Sequence, residues 1–431
     1  MMRVMVPKLK RGIGLVAASF IVLNGIIGAG IFALPGELSS QAGLLGPWLI
    51  LLFGAFIAMV AWCFGALASY FKTSGGPVTY ASQAFGPLAG FQVGWLLYVG
   101  RATSLAANTN VLFNYAAYFW EGVNSEFSKL ILFIVIIGGL TIVNVMGIKS
   151  AMKTINLFSL LKVLPILVLI LFGLPYVSPD GFLPTDFPVI DDFGTLILLI
   201  LYAFVGFECV LFTTEETKNP TKTLPKALIT TVVAITVVYF LIQLVYINIV
   251  TIDNNDAPLI ELGRVVFGEA GVSIIIITAL FSIMGTATSI LLTAPRLTFS
   301  LAKDGSLPQW FSRVHTKYNT PANSIIFLGV FGLLLGITGT FVYLAVASAL
   351  ARILAYIICI LSLPIIRKKA DQATRKKALK LPGGFLIPCL ALLVCIVAVV
   401  FSPLQSWLYL FGFLSLGGLL YFINSRHKSN A

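Results

Sequence analysis

Four ionisable side chains fall inside long apolar runs: Arg101, Lys162, Glu208 and Arg352. At membrane depth each is costly enough that a function or a specific partner is the default explanation. Arg101, in "YVGRATS", and Glu208, in "AFVGFECV", carry opposite charges and are expected first as an ion pair. Left uncompensated, Arg101 would attract a ligand carboxylate. Glu208 has three open roles: carrying a proton, holding backbone groups freed by a nearby break, or attracting a cationic side chain. Arg352, in "VASALARILAYI", has small neighbours that suit close packing and reads as one half of a structural pair. Lys162, in "NLFSLLKVLPIL", lies about 10 Å inside its run by the helix rise. Taking an ammonium out of water destabilises its charged form, so Lys162 can exchange a proton or stand as a permanently charged strut.

Two backbone motifs accompany these charges. The stretch "NGIIGAGIFALPG", residues 24–36, places Gly25, Gly28 and Gly30 inside an apolar run, with Pro35 and Gly36 at its end. Each glycine costs about 1 kcal/mol in a helix interior relative to alanine. A second run, "LILYAFVGFECVLFTTEE", carries Gly206 and Glu208. An unwound helix leaves N–H and C=O groups without partners, which in hydrocarbon costs several kcal/mol each. Such a break survives where it lines a polar cavity or receives a ligand. A half-helix starting near Gly30 presents N–H groups and a positive dipole end to a carboxylate. The carbonyls that end the preceding half-helices suit an ammonium, and together the two make a receptor for a zwitterion. Gly28 and Gly30 would let the ligand approach the backbone. The competing account is packing of helices through small residues. The pairing of two interrupted runs favours the ligand site.

The elements that position these groups are membrane-spanning helices. The chain has 431 residues, is 58% hydrophobic and only 10% charged, and has a mean hydropathy of +1.00. A soluble domain is about a quarter charged. Runs of about 20 apolar residues each suffice to cross ~30 Å of hydrocarbon. About twelve spans are expected, at residues 12–35, 47–71, 87–120, 129–147, 154–174, 192–215, 225–250, 271–301, 323–339, 341–366, 385–401 and 403–424. The ninth and tenth are separated by a tight turn at "GITGT". The interruptions fall in spans one and six, corresponding places if spans one to five and six to ten are repeats. Five spans per repeat make the two inverted, and spans eleven and twelve lie outside them.

The net charge of +12 does not point to nucleic acid. With the N-terminus in the cytoplasm, most Lys and Arg fall in cytoplasmic segments, including "RKKADQATRKKALK", which faces anionic lipid. Only Lys129 and Arg264 lie in outer loops, alongside most of the acids, among them Asp180, Asp186, Asp253 and Asp256. This positive-inside bias places both termini in the cytoplasm, with residues 425–431 as a short tail. The N-terminal basic and apolar stretch lacks a convincing cleavage site and reads as a retained first span. The outer loop "YVSPDGFLPTDFPVIDD" reads as a solvated surface. Cys63, Cys209, Cys359, Cys389 and Cys395 all fall in spans without metal-ligand spacing and read as small buried residues. No metal site or cofactor is expected. An enzyme would need a nucleophile with its base, a metal set or a cofactor motif, and the spans hold no His, HExxH or GxSxG. A channel would need a continuous lined pore, whereas paired interruptions suit alternating access.

"IIGAGIF", "YAFVGFE", "TEETKNPTKTLPKAL" and "APRLTFSLAKDGSLP", with the loop "APLIELGRVVFG", resemble the amino acid–polyamine–organocation (APC) permeases over essentially the whole chain. The resemblance implies an all-α polytopic membrane protein with the leucine-transporter (LeuT-type) fold: a 5+5 inverted repeat with discontinuous helices 1 and 6, plus two C-terminal helices. The repeats would be residues 12–174 and 192–366, followed by 385–424. Matched motif to motif, the N–H groups of Gly28, Ala29 and Gly30 would hold the substrate carboxylate. Carbonyls of Ile26, Tyr202, Ala203 and Val205 would receive its amino group, with Tyr202 as an aromatic gate. Lys162 matches a lysine that replaces a sodium ion in proton-coupled relatives, and would bridge span one to Thr286, Thr288 and Ser289 of span eight. Glu208 would be structural or gating. The expected function is proton-coupled uptake of a small neutral amino acid, with exchange of a cationic amino acid or polyamine as the alternative and a non-transporting amino acid receptor third. The bilayer is the expected environment, as a bacterial inner membrane, and the oligomeric state is not among the sequence's expectations.

Overall fold

The apolar runs fold as helices, and glycine and proline decide where those helices break. The computed structural model describes residues 11–72, 75–119, 125–147, 151–184, 188–250 and 257–429. Predicted span one is divided between α1 (Leu15–Ile26) and α2 (Ala29–Ala42). Span two is α3 (Gly46–Tyr70), and a short helix, α4 (Gly76–Phe85), precedes span three, α5 (Pro87–Phe119). Span four is α6 (Glu126–Phe133), a π-helical turn (Ile134–Gly138) and α7 (Gly139–Met146); span five is α8 (Ala151–Gly173). Span six is α9 (Phe193–Phe204) followed by a 3-10 segment (Phe207–Glu216). Then come α10 (Pro220–Ile249), α11 (Pro258–Lys303), α12 (Ala322–Thr338) and α13 (Phe341–Lys369) as spans seven to ten. The short α14 (Gln372–Lys377) precedes α15 (Leu386–Val400) and α16 (Leu404–Ser429), spans eleven and twelve.

Among the described residues, seven helical stretches are long and apolar enough to cross a membrane, and four shorter apolar helices accompany them. The helix α5 belongs to neither group, because Arg101, Ser104, Asn108, Thr109 and Asn110 interrupt its apolar character. Burial ranks the spans. In span six 89% of the apolar window is enclosed, against 17% for residues Phe127–Met146, so the broken sixth span is central and the fourth peripheral. Large apolar side chains such as Val135, Leu171 and Leu408 point outward, as a surface solvated by lipid requires.

The packing carries an internal symmetry. Exchange spans one to five for spans six to ten, in order, and a number of packed pairs map onto packed pairs. The pairs α3 with α10, α5 with α11, and α7 with α12 each map onto themselves. The pair α5–α13 answers to α11–α8, α5–α12 to α11–α7, α1–α8 to α9–α13, and α1–α10 to α9–α3. The short helices before spans three and eight correspond too. α4 ends at Gly86 (φ +97°), and the first part of α11 ends at Gly268 (φ +65°).

Several expectations need correction. Span one does not stop at Pro35; α2 continues to Ala42 with Pro35 inside it. A helical proline removes one backbone bond and kinks the helix, and Gln243 donates to the Pro35 carbonyl at 3.3 Å. The segment read as a loop before span eight is helical, and so is the segment before span three. The outer loop is not merely solvated. Trp48 Nε1 donates to the Phe182 carbonyl at 3.1 Å, the two rings pack edge to face, and Asn248 donates to the Gly181 carbonyl at 3.0 Å. Four cysteines are buried, but Cys389, in the first turn of α15, is exposed. Asp186, Asp253 and Asp256 lie outside the described residues.

Candidate functional site

The first break lies at Ile27 and Gly28, between α1 and α2. Ile27 is extended (φ −73°, ψ 101°), and Gly28 has φ −137° and ψ −137°. Unwinding frees the Ile27 carbonyl at the C-terminal, negative end of the α1 dipole, where a cation is favoured. Two donors fill it. Lys162 Nζ of α8 donates at 2.8 Å and Thr286 Oγ1 of α11 at 2.9 Å. A carbonyl has two lone pairs, so this junction of three elements satisfies it fully. Lys162 is 1% exposed. On the other side of the break, the Ala29 N–H donates to Asn108 Oδ1 of α5 at 2.9 Å. Asn108 in turn donates to the Ser104 carbonyl at 2.7 Å and to the Tyr202 hydroxyl at 3.3 Å.

The second break lies at Val205 and Gly206. Val205 is extended (ψ 155°), and Gly206 takes φ +110°, a left-handed value that strongly favours glycine. The Val205 N–H donates to the Tyr202 carbonyl at 3.4 Å, and the Gly206 N–H donates to Glu208 Oε2 at 3.0 Å. Glu208 is the hub of a wholly buried cluster. Its Oε1 accepts from Arg101 Nη2 at 3.2 Å and lies 3.6 Å from Arg352 Nε; its Oε2 accepts from the Tyr356 hydroxyl at 2.8 Å. Arg352 also donates to the Ser348 hydroxyl, which itself donates to the Gly100 carbonyl at 2.8 Å. The carboxylate therefore pairs with two guanidiniums, which leaves the cluster one positive charge in excess, and caps the freed backbone at once.

The two breaks touch each other. A Cβ on Gly25 would stand 2.4 Å from the Gly206 carbonyl oxygen, and one on Gly206 would stand 2.1 Å from that of Gly25. A Cβ on Gly30 would meet the Cα of Ala203 at 2.9 Å, and one on Gly28 would meet Asn108 Oδ1 at 2.9 Å. Close packing through small residues is thus real at Gly25 and Gly30, while Gly28 sits against polar side chains. Tyr202 packs edge to face on Phe341, with ring centroids 5.8 Å apart. Phe341 also lines a polar cavity of about 290 Å³ with Ala33, Glu37, Asn110 and Lys129. At the opposite end, the N–H groups of Gly12 and Ile13 donate to the Glu216 carbonyl at 2.9 and 3.0 Å, and the Lys218 N–H donates to the Ile13 carbonyl at 2.8 Å. This backbone clasp joins the start of α1 to the end of the 3-10 segment.

Of the three span-eight hydroxyls expected near Lys162, the structure brings only Thr286 to the Ile27 carbonyl. Thr288 donates instead to the Met284 carbonyl of its own helix at 2.8 Å, because two residues further along a helix turns the side chain to another face. Ser289 is half-buried, one helical turn beyond Thr286. Ile26 and Ala203, the last residue of α1 and the penultimate residue of α9, are buried beside the breaks. Asn108, Tyr356, Ser348 and Ser104 escape a reading that looks only for charges. Their signal is spacing: Gly100, Ser104 and Asn108, and likewise Ser348, Arg352 and Tyr356, recur every four residues and so share one helix face. Among the described residues no three His, Cys, Asp or Glu converge as metal ligands.

A family model described as amino acid permease matches residues 13–412. The chain is 28% identical to the branched-chain amino acid permease BcaP of Bacillus subtilis (strain 168), covering 98% of this chain and 94% of that one. It is 27% identical to the methylthioribose transporter of the same organism, over 94% and 91% of the two chains. Identity to the serine/threonine exchanger SteT, again from that organism, is 27% over 89% of each.

Proposed function

Because the chain belongs to the amino acid permease family, we propose that it is a secondary active transporter that takes up a small neutral amino acid with a proton, by alternating access. The observation that carries the coupling is the junction in which Lys162 and Thr286 both donate to the Ile27 carbonyl. A protonated Lys162 ties the end of α1 to α8 through charge and dipole. Loss of the proton weakens that tie and frees α1 to move against α8. In this reading the repeats are residues 12–174 and 192–366, and the positive-inside bias supports cytoplasmic termini, with a bacterial inner membrane as the setting.

The substrate carboxylate binds the N–H groups at the start of α2, at Gly28, Ala29 and Gly30. Since Asn108 holds the Ala29 N–H in the present state, substrate displaces the amide oxygen and so senses α5 directly. The amino group takes carbonyls at the ends of α1 and α9, with Tyr202 and Phe341 closing above it. The Gly30–Ala203 contact leaves little width between the half-helices, which supports a small side chain. Glu208, already paired with two arginines, has no charge to offer a cationic side chain, and this weighs against a polyamine or arginine. Exchange of neutral amino acids is the second reading, supported by similarity to the serine/threonine exchanger.

The deciding experiment is uptake of labelled amino acids, with methylthioribose in the same panel, into proteoliposomes with and without an inward proton gradient. Gradient-stimulated uptake that Lys162→Ala abolishes is the expected result. Uptake that ignores the gradient but needs internal amino acid overturns symport in favour of exchange.

A further inference from the structure

The face of the molecule that bears the basic loop holds a cavity of about 360 Å³ between α3, α13 and α15. Its interior is apolar, built from Ala66, Ile360, Leu363, Leu381, Pro388 and Leu392. Its mouth is lined by Arg367, Arg375 and Lys380. Ile360 and Arg367 are seven residues apart on α13, so the apolar interior extends about 10 Å from the charged rim. That is the depth of an acyl segment rather than of a headgroup. The loop over the mouth is fixed: the Leu379 N–H donates to Ser69 Oγ at 3.0 Å, and Arg375 Nε donates to the Ala370 carbonyl at 2.8 Å. The guanidinium of Arg367 stands 6.0 Å over the Phe385 ring at the rim. The one acid in this stretch, Asp371, is engaged as the cap of α14 and does not neutralise the rim. Ala378, Leu379 and Lys380 also wall a neighbouring cavity lined by Lys222, Lys226 and Lys377, which extends the positive field.

We propose that this cavity binds a two-chain anionic glycerophospholipid, with acyl carbons in the apolar interior and the phosphate among Arg367, Arg375 and Lys380. Basic pockets between helices at the membrane surface suit such headgroups, and the guanidinium fork of Arg367 can take a phosphate bidentately. A free phosphate lacks the acyl carbons that the interior takes. The site lies apart from the two helix breaks and is independent of the transported substrate.

Cys389 lines the cavity and is exposed, whereas Cys63, Cys209, Cys359 and Cys395 are buried, so the native chain carries its own reporter. The test is the rate of maleimide modification of Cys389 in detergent micelles as phosphatidylglycerol, phosphatidylcholine or inorganic phosphate is added. Phosphatidylglycerol is expected to protect at about tenfold lower mole fraction than phosphatidylcholine, with phosphate inert. The triple variant Arg367→Gln, Arg375→Gln, Lys380→Gln should label at the native rate without lipid and lose the preference for the anionic lipid. Equal protection by both lipids, protection by phosphate alone, or an unchanged preference in the triple variant overturns the proposal. Native mass spectrometry of the purified protein gives a second reading: retained phosphatidylglycerol that the triple variant lacks.

Discussion

Lys162 acts, in the proposed mechanism, through one carbonyl. Substituting Lys162→Ala leaves the Ile27 oxygen with Thr286 alone, and the gradient-driven component of uptake should fall by at least about tenfold, the worth of one charge-assisted bond. Lys162→Arg separates titration from tethering: it keeps a charge that does not leave near neutral pH, so substrate binding should persist while stimulation by the gradient is lost. Binding can be read by isothermal calorimetry and stimulation by proteoliposome flux. A variant that keeps full gradient stimulation with arginine would assign coupling elsewhere. Thr286→Val removes the second donor without adding charge, and its expected effect is a milder loss in the same assay.

At the scale of elements, Glu208 binds α5, α13 and the broken sixth span into one unit. Glu208→Gln leaves Arg101 and Arg352 buried without a counter-charge, so a loss of about 3–5 kcal/mol is expected, the cost of breaking a buried pair. A thermal melt in detergent reads this directly. Adding Arg352→Met to Glu208→Gln should recover part of the loss, since one of the two orphaned charges is then gone. A double variant no more stable than the single would remove the charge cluster as the reason these elements cohere. Gly206→Ala tests the contact between the breaks: its methyl would meet the Gly25 carbonyl, and its φ of +110° strains any side chain. A destabilisation of at least 1–3 kcal/mol is expected, roughly the cost of such backbone strain alone.

The whole molecule is closed at one end by backbone pairing, where Ile13 and Thr217 form an isolated parallel bridge. Under the proposed alternating access this end opens, and the start of α1 then leaves the end of the 3-10 segment. Paired strands lie ~4.8 Å apart, inside the Cα separation a disulfide spans. Ile13→Cys with Thr217→Cys, in a Cys389→Ser background, should therefore lock the clasp on oxidation. Transport in proteoliposomes should stop when oxidised and return with reductant. Full transport by the oxidised, cross-linked protein would show that this clasp stays shut throughout the cycle.

Residue types and spacing were enough to set the membrane class, most of the helices and the location of both breaks. Those features depend on local physics: apolar length against bilayer thickness, and glycine where a helix must stop. The sequence also placed the buried charges in their helices. Which groups would meet, however, was decided by tertiary packing. Thr286 reaches the Ile27 carbonyl and Thr288 does not, because helix rotation relative to a neighbour is set by every contact along the interface. Asn108 is an uncharged residue in a polar run, yet it holds the Ala29 N–H. Likewise, Glu208 read three ways until Arg101, Arg352 and Tyr356, far apart in the chain, converged on its two oxygens. A carboxylate's chemistry is set by the partners within about 4 Å, and those are a property of the assembled fold.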